Sequence, residues 1–398
     1  MHNRNNIKRK RDEVNDSRKR HKSNNYARSE MIDFRKCLPN DLRSFYDKIH
    51  NEQELDTHLS ELMASDKTDR HFNAQFLQHL IYYACHHIDN LKKNISKDYV
   101  HQLIIMIIDF IRNNYLPEDG EINDFVIWVD PKEQYTILHS LCRSSDSEGT
   151  RLLLTLIQEL YGNKSQDFIH FITHEDKDGF SPLNTASKEG HIEIVKCLLQ
   201  YAAEAFGEDT QGFISFITHE DKDGFSPLNS ASKAGCSEIV ECLLQYAIEA
   251  FGGKNTQGFI SFITHEDRYG FSPLNSASNE GRTEIVKYLL QYAEEAFGGK
   301  DTKEFKDFLD QKNKHGFTPL NAACHRKNAE CAKLIYSAGA NPDIKNNHGY
   351  SPRNNTPEKW NLFKPKNGDF FQTTNLFYGK SNKLSSKAGN STFRQIRS

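Results

Sequence analysis

Apolar residues recur at helical spacing through the second half of the chain, and the pattern itself is repeated. One stretch places apolar residues three and four positions apart, at Ile194, Val195, Leu198, Leu199 and Ala202. That spacing predicts a helix from about His191 with one apolar face. The pattern returns at Ile239, Val240, Leu243 and Leu244, and again at Ile285, Val286, Leu289 and Leu290. A single copy has nothing to cover its apolar face, so we expect neighbouring copies to stack.

A shorter helix is predicted ahead of each of these helices. One segment occurs three times with two changes, as FITHEDKDGFSPLN at residues 171–184 and 216–229 and as FITHEDRYGFSPLN at residues 262–275. Ser181 is a preferred N-cap, Pro182 suits the first helical position, and Gly190 is a typical helix end. We expect Leu183 and Ala186 to face inward, where the small alanine lets the second helix approach.

A glycine marks the turn that precedes each short helix. The spacings are 45, 46, 46 and 33 residues, between Gly179, Gly224, Gly270, Gly316 and Gly349. Each follows a polar turn cluster, where glycine adopts a positive φ without steric cost. An earlier, degenerate copy is TILH at residues 136–139, whose Leu138 lies 45 residues before Leu183. The chain therefore contains about five full turn, helix and helix units and a fragment.

The short helices begin with a shared motif, SPLNTA at Ser181, SPLNSA at Ser226 and Ser272, and TPLNAA at Thr318. It resembles the TPLHxA signature of the ankyrin repeat, and GANPD at residues 339–343 resembles that family's turn between repeats. The resemblance covers roughly residues 130–352. It implies an all-α, ankyrin-type helix-turn-helix solenoid with short β-turn or hairpin tips. It also implies a non-catalytic scaffold that binds a partner protein along its concave face and turn tips.

Two features depart from the family pattern. The signature histidine is kept at His139, whereas later units carry Asn184, Asn229, Asn275 and Asn321. Asparagine both donates and accepts, so we expect a hydrogen bond across the turn to survive. About a dozen extra residues, such as residues 201–218, also follow the second helix. Their segment YAAEAFG predicts a longer second helix, and QGFISFI predicts a short third helical turn along the outer face.

The thrice-repeated His-Glu-Asp run is a candidate metal or acid–base site, a partner-binding ridge, or scaffold. Asp176 lies three residues before the turn glycine, a position that Asp221, Asp267, Asn313 and Asn346 occupy in later units. Equivalent histidines of stacked units lie about 8 to 10 Å apart, one layer of helices, so His174, His219 and His265 are not expected to share an ion. We expect scaffold, with no metal and no cofactor.

Candidate partner contacts are the positions that differ between otherwise near-copied units, at the turn tips and at the ends of the short helices. They are Lys177, Asp178, Lys188 and Glu189; Lys222, Asp223, Lys233 and Ala234; Arg268, Tyr269, Asn279 and Glu280; and Lys314, His315, His325 and Arg326. Sequence drift at exposed positions is the alternative explanation for most of them.

Charge divides the chain into two basic tails and an acidic body. Residues 1–22 hold nine basic and three acidic residues, and residues 361–398 hold seven basic and one acidic. The overall formal charge is -3, so the body is strongly acidic and favours a partner with a patch rich in Lys or Arg. The N-terminal basic clusters resemble a nuclear localisation signal read by importin, at Lys8, Arg9, Lys10, Arg11, Arg18, Lys19, Arg20 and Lys22.

The remaining features set the domain boundaries and the alternatives. We predict a disordered basic tail at residues 1–28, a helical domain at 29–128, repeats at 129–360 and a second disordered basic tail at 361–398. No catalytic motif, membrane span or secretory signal is recognised, so we expect a non-enzyme in the nucleus, or otherwise the cytoplasm. The cluster at residues 85–87, Cys-His-His, is a weak metal candidate because ligands at matching spacing are lacking.

Three further hypotheses remain open. The segment LPNDL at residues 38–42 faintly resembles the start of an F-box, so the helical domain is an alternative seat of function as an adaptor or an enzyme-like effector. The basic tails are alternative nucleic-acid contacts. Ankyrin-like proteins with nuclear signals occur in eukaryotes, in large viruses and as effectors of intracellular bacteria, and we take the last as the hypothesis of origin.

Overall fold

A computed structural model describes residues 134–356, together with Ile105, Val129 and residues 362–363. These residues form fifteen helices and no strand, in a repeated arrangement that confirms the predicted all-α solenoid. The nuclear-signal residues, the F-box-like segment, the Cys-His-His cluster and the C-terminal tail after residue 363 lie outside the described residues.

Each full unit contributes a first and a second helix, and four units add a third. The first helices are α1 (Ile137–Ser144), α4 (Pro182–Glu189), α7 (Pro227–Ala234), α10 (Pro273–Glu280) and α13 (Pro319–Arg326). The second helices are α2 (Ser147–Tyr161), α5 (Ile192–Phe206), α8 (Ser237–Ala250), α11 (Thr283–Ala296) and α14 (Ala329–Ser337). The third helices are α3 (Gln166–Thr173), α6 (Thr210–Ile217), α9 (Gln257–Thr264) and α12 (Lys303–Leu309). A single turn, α15 (Pro352–Asn355), begins a sixth unit.

The ends of the first helices are set by local chemistry. The Ser181 side chain accepts a hydrogen bond from the Asn184 amide, and Pro182 occupies the first turn, where its missing N–H has no cost. Gly190 ends α4 with φ of 84°, in the left-handed region. These caps confirm the predicted boundaries of the short helix.

The first helices form one layer and the second helices form another. Each first helix packs against the first helix of the next unit and against its own second helix. Leu183, Leu198 and Leu199 are completely buried between these layers, and their counterparts in the next two units are at most 2% exposed. Stacking therefore covers the apolar faces that a single unit leaves open.

The extra residues of the lengthened repeat form a helix of two turns, longer than the single turn that the sequence predicted. Each lies beside the layer of second helices, and α6 contacts both α5 and α8. Phe213 is 3% exposed, and its ring centroid lies 6.1 Å from that of Tyr246 in the next unit. The insertion therefore adds an aromatic layer that joins neighbouring second helices.

No helix among the described residues is both long enough and apolar enough to cross a bilayer.

Candidate partner-binding face

The turns before the first helices are joined into a continuous backbone ladder. The Lys222 amide donates to the Asp178 carbonyl at 3.0 Å, and the Arg268 amide donates to the Asp223 carbonyl at 2.9 Å. The Lys314 amide likewise donates to the Tyr269 carbonyl at 3.0 Å. Consecutive turn tips are thus held in register, and their side chains are presented at one-repeat intervals.

Each turn is closed by the residue that the sequence placed three positions before the glycine. One carboxylate oxygen of Asp176 accepts from the amides of Asp178 and Phe180, at 2.8 and 2.9 Å. Gly179 then follows with φ of 83°. Burial raises the pKa of the Asp176 carboxyl, and these two amide donors oppose that rise. The aspartate of the His-Glu-Asp run is therefore a turn residue, as predicted.

The asparagine that replaces the signature histidine bonds to the following unit. The Asn184 amide group donates to the carbonyl oxygens of Phe225 and His219, at 2.8 and 3.2 Å. Its own carbonyl oxygen accepts from the Ser181 hydroxyl at 2.6 Å. The predicted hydrogen bond is retained, and it crosses between repeats as well as across the turn.

The histidine of the run has a similar structural role. The Nε2 atom of His219 lies 2.9 Å from the Gly179 carbonyl oxygen, and that of His265 lies 3.1 Å from the Gly224 carbonyl. The carboxylates of Glu175 and Glu220 lie 3.8 and 3.4 Å from the same two nitrogens. Each imidazole therefore joins its own unit to the turn of the unit before, which supports the scaffold interpretation. Within the residues described, no three His, Cys, Asp or Glu side chains gather as metal ligands.

A row of aromatic side chains follows the turn glycines, or Gln134 in the first unit, and basic residues from the helix ends cover several of them. The Arg143 guanidinium lies 4.6 Å from the ring centre of Tyr135. The Lys188 ammonium lies 4.2 Å from the ring centre of Phe180, and the Lys233 ammonium lies 4.5 Å from that of Phe225. In the fifth unit the imidazole of His325 lies edge-on to Phe317, with 5.3 Å between ring centres.

This row was not predicted from the sequence. Lys188, Lys233 and His325 were selected only because they differ between units, yet each lies against the aromatic residue eight positions before it. An aromatic residue just before Ser-Pro or Thr-Pro and a cation eight residues later is the signal that could have identified the row. Such stacking is worth about 0.5 to 1 kcal/mol at exposed sites.

The structure brings other candidate residues together in pairs across units. Arg268 forms an ion pair with Asp223 of the preceding turn, and its guanidinium lies 5.2 Å from the ring centre of Tyr269. The Arg326 guanidinium donates to the Asn279 side-chain oxygen at 3.1 Å. Most of the sixteen candidates are exposed, and the intermediate ones are Lys177, Asp223, Ala234 and Asn279. Together with the aromatic row they define one surface, here called the first-helix face.

Comparison with known proteins agrees with this geometry. A family model for ankyrin repeats matches the chain in three overlapping copies, at residues 154–251, 206–301 and 263–346. The matched segment is just under half of the chain and contains most of the described helices. A search of curated proteins gave no match. Ankyrin repeats indicate a scaffold for protein–protein interaction.

Proposed function

We propose that the chain is a non-catalytic scaffold that binds a partner protein along its first-helix face and turn tips. The observation that carries the proposal is the contrast between a uniform frame and the variable side chains fixed upon it. Backbone bonds, Asx turns and bridging asparagines recur in successive units. The exposed tip positions are the same in the second and third units, apart from Glu189 and Ala234, and they change in the fourth and fifth units. Units of one frame therefore offer different contacts on the same support.

Exposed aromatic residues support the same surface. Within the described part of the chain, the exposed large hydrophobic residues are Tyr269 and Tyr350, at 43% and 56%. Both lie in turns of the repeat, beside Gly270 and Gly349. Exposed tyrosine is favoured at protein interfaces because it combines a large apolar area with a polar tip.

The charge of the solenoid supports a basic partner. Residues 134–356 hold 30 acidic and 22 basic residues. A surface on which one sign of charge dominates accelerates encounter with a partner of the opposite charge and disfavours binding of partners with the same charge. A partner patch rich in Lys or Arg is therefore the complement that we propose.

We further propose that the protein acts in a nucleus, carried there by importin through the two N-terminal basic clusters. The support is the sequence of residues 8–22, where two groups of Lys and Arg flank a short polar linker. Secretion as a bacterial effector remains the hypothesis of origin, and it rests on analogy with other ankyrin-like proteins. Nucleic-acid contact by the tails and recruitment of a ligase by residues 29–128 are the alternative functions.

Proximity labelling in cultured eukaryotic cells tests the binding surface. We expect the wild type to label a set of proteins that is lost on joint replacement of Tyr269 and Lys314 by alanine. The matched control replaces Gln245 and Gln291, exposed residues on the second helices α8 and α11, by alanine. Loss of the set in the control, with retention in the tip variant, would place binding on the opposite layer.

A fluorescent fusion tests the nuclear part separately. Alanine replaces the basic residues of residues 8–11 and 18–22 in the variant, and the repeats are unchanged. Nuclear accumulation that is lost in the variant supports an importin signal. Equal distribution of the two fusions rejects it and leaves the binding surface as a cytoplasmic one. DNA binding with a steep salt dependence, abolished by deleting residues 1–22, would instead favour the nucleic-acid alternative.

A further inference from the structure

The fourth unit breaks the pattern of covered rings on the first-helix face. Units one, two and three each place their own cation over the aromatic residue that follows the turn, and unit five places an imidazole there. In unit four the aromatic residue is Phe271, and the residue eight positions later is the uncharged Asn279. Among the described residues, no cation and no aromatic ring lies against Phe271.

Asn279 is also held by other partners. Its amide group donates to the Glu280 carboxylate at 2.8 Å, and its oxygen accepts from the Arg326 guanidinium at 3.1 Å. The backbone of unit four matches that of its neighbours, because α7 and α10 have the same length, the same Ser-Pro start and a glycine end. The two units therefore differ in their side chains and not in their backbones. In unit three the Lys233 ammonium lies over the aromatic ring, and in unit four no cation of the described residues lies at the equivalent position.

The surroundings of this place carry both signs of charge. Arg326 bonds to Asn279 and Arg268 lies over Tyr269, whereas the carboxylate of Glu280 offers a partner to a positive group from outside. Glu280, which follows Asn279, is an exposed carboxylate where unit three has Ala234. The same turn exposes the ring of Tyr269, two residues before Phe271. An aromatic face attracts a cation through its quadrupole, and a nearby carboxylate adds to that attraction.

We propose that the ring of Phe271 receives a lysine or arginine side chain of the partner protein. The incoming cation takes the position that the chain fills with its own Lys188 and Lys233 in the second and third units. This inference deepens the proposed function and depends on it, since it names the chemical group by which the partner is recognised. It also assigns the fourth unit as the centre of the contact.

The experiment uses the full chain and a display library of random twelve-residue peptides. We expect the recovered binders to be enriched in Lys or Arg. Calorimetric titration of an enriched peptide is then repeated with Asn279→Lys, which supplies an internal cation as in unit three. Affinity should fall roughly 5- to 30-fold, the range expected for the loss of one cation–π contact. Phe271→Leu, which removes the ring but keeps an apolar side chain, should cause a similar loss.

The control is Gln291→Lys, which introduces the same charge on an exposed position of α11. It should leave affinity within about twofold, so that a general effect of net charge is separated from a local one. Equal affinity of the wild type, Asn279→Lys and Phe271→Leu would overturn the inference while leaving a scaffold that binds elsewhere on this face. Binders that lack Lys and Arg would also overturn it. Recovery of no peptide binder would count against both the inference and the proposed function.

Discussion

The side-chain amide of Asn184 donates a hydrogen bond of 2.8 Å to the carbonyl oxygen of Phe225, in the turn of the next repeat. Asn229 repeats the relationship with Phe271 at 3.0 Å, and His139 performs it in the first unit with the Phe180 carbonyl at 2.9 Å. Two different side chains thus satisfy equivalent part-buried carbonyls. Coupling between neighbouring units therefore depends on a donor at this position rather than on one residue type.

Replacing Asn184 tests that requirement. Asn184→Leu removes the donor from the Phe225 and His219 carbonyls, and we expect the free energy of unfolding to fall by about 2 to 4 kcal/mol. Asn184→His keeps a donor of the kind found at His139 and should cost less than about 1 kcal/mol. Denaturant unfolding followed by circular dichroism measures both. Equal losses in the two variants would show that volume, and not hydrogen bonding, governs the site.

The first unit should make stability depend on pH. Burial lowers the pKa of His139 to about 3. Its Nδ1 atom already accepts from the Thr136 amide, at 3.3 Å, so this nitrogen must carry no proton while Nε2 donates to Phe180. The folded state therefore favours the neutral ring. The stability that depends on this neutral ring is fully present above the ordinary histidine pKa of about 6.5. It declines as the pH falls from there towards 3, by up to about 1.4 kcal/mol per pH unit, because the unfolded chain binds the proton.

His139→Asn is the variant that isolates this effect. Asparagine is the residue that later units use, and it does not titrate. Urea unfolding at pH 7.5, 6.0 and 5.0 should show a smaller decline in the variant than in the wild type. Some decline should remain, because burial also lowers the pKa of His174. An identical pH dependence for the two proteins would mean that His139 is not the group responsible.

Local features were predictable from the sequence, and contacts between units were predictable only in part. Ser181, Pro182 and Gly190 act within one turn of chain, so their types alone indicated the helix and its ends. The donor role of Asn184 was predicted, but its partner in the next repeat depends on the distance between layers. The stacking of Lys188 on Phe180 was missed because it depends on where a turn and a helix end meet in space. The third helix was predicted too short for a related reason, since its contacts with the second helices stabilise two full turns.

A buried leucine tests the register of the stack. Leu228 is completely buried in α7, between the first helices of its neighbours. Leu228→Arg places an unpaired charge there, and we expect a loss of at least about 3 kcal/mol in the free energy of unfolding. Gln245→Arg, an exposed position of α8, should change it by less than about 0.5 kcal/mol. Thermal melting distinguishes the two, and a wild-type melting temperature for Leu228→Arg would contradict the assigned register.

The turn glycines differ in what surrounds them, and a matched pair of variants separates conformation from crowding. Gly224 and Gly349 have almost the same φ, 80° and 81°. A Cβ at Gly224 would meet the Arg268 backbone nitrogen at 2.8 Å, whereas one at Gly349 would meet none of the described residues within 4 Å. Gly349→Ala should therefore cost only the conformational strain, about 1 to 2 kcal/mol.

Gly224→Ala should cost that strain and a further loss of about 1 to 3 kcal/mol, because the ladder bond from Arg268 to Asp223 must shift to make room. Equilibrium unfolding in guanidinium measures the difference between the two variants. Equal losses would mean that the close approach of consecutive turns is not a constraint, and that glycine is required at these positions for its φ alone. A larger loss at Gly224 would identify the turn ladder as a rigid element that holds the first-helix face in register, which is the property that a repeated binding surface needs.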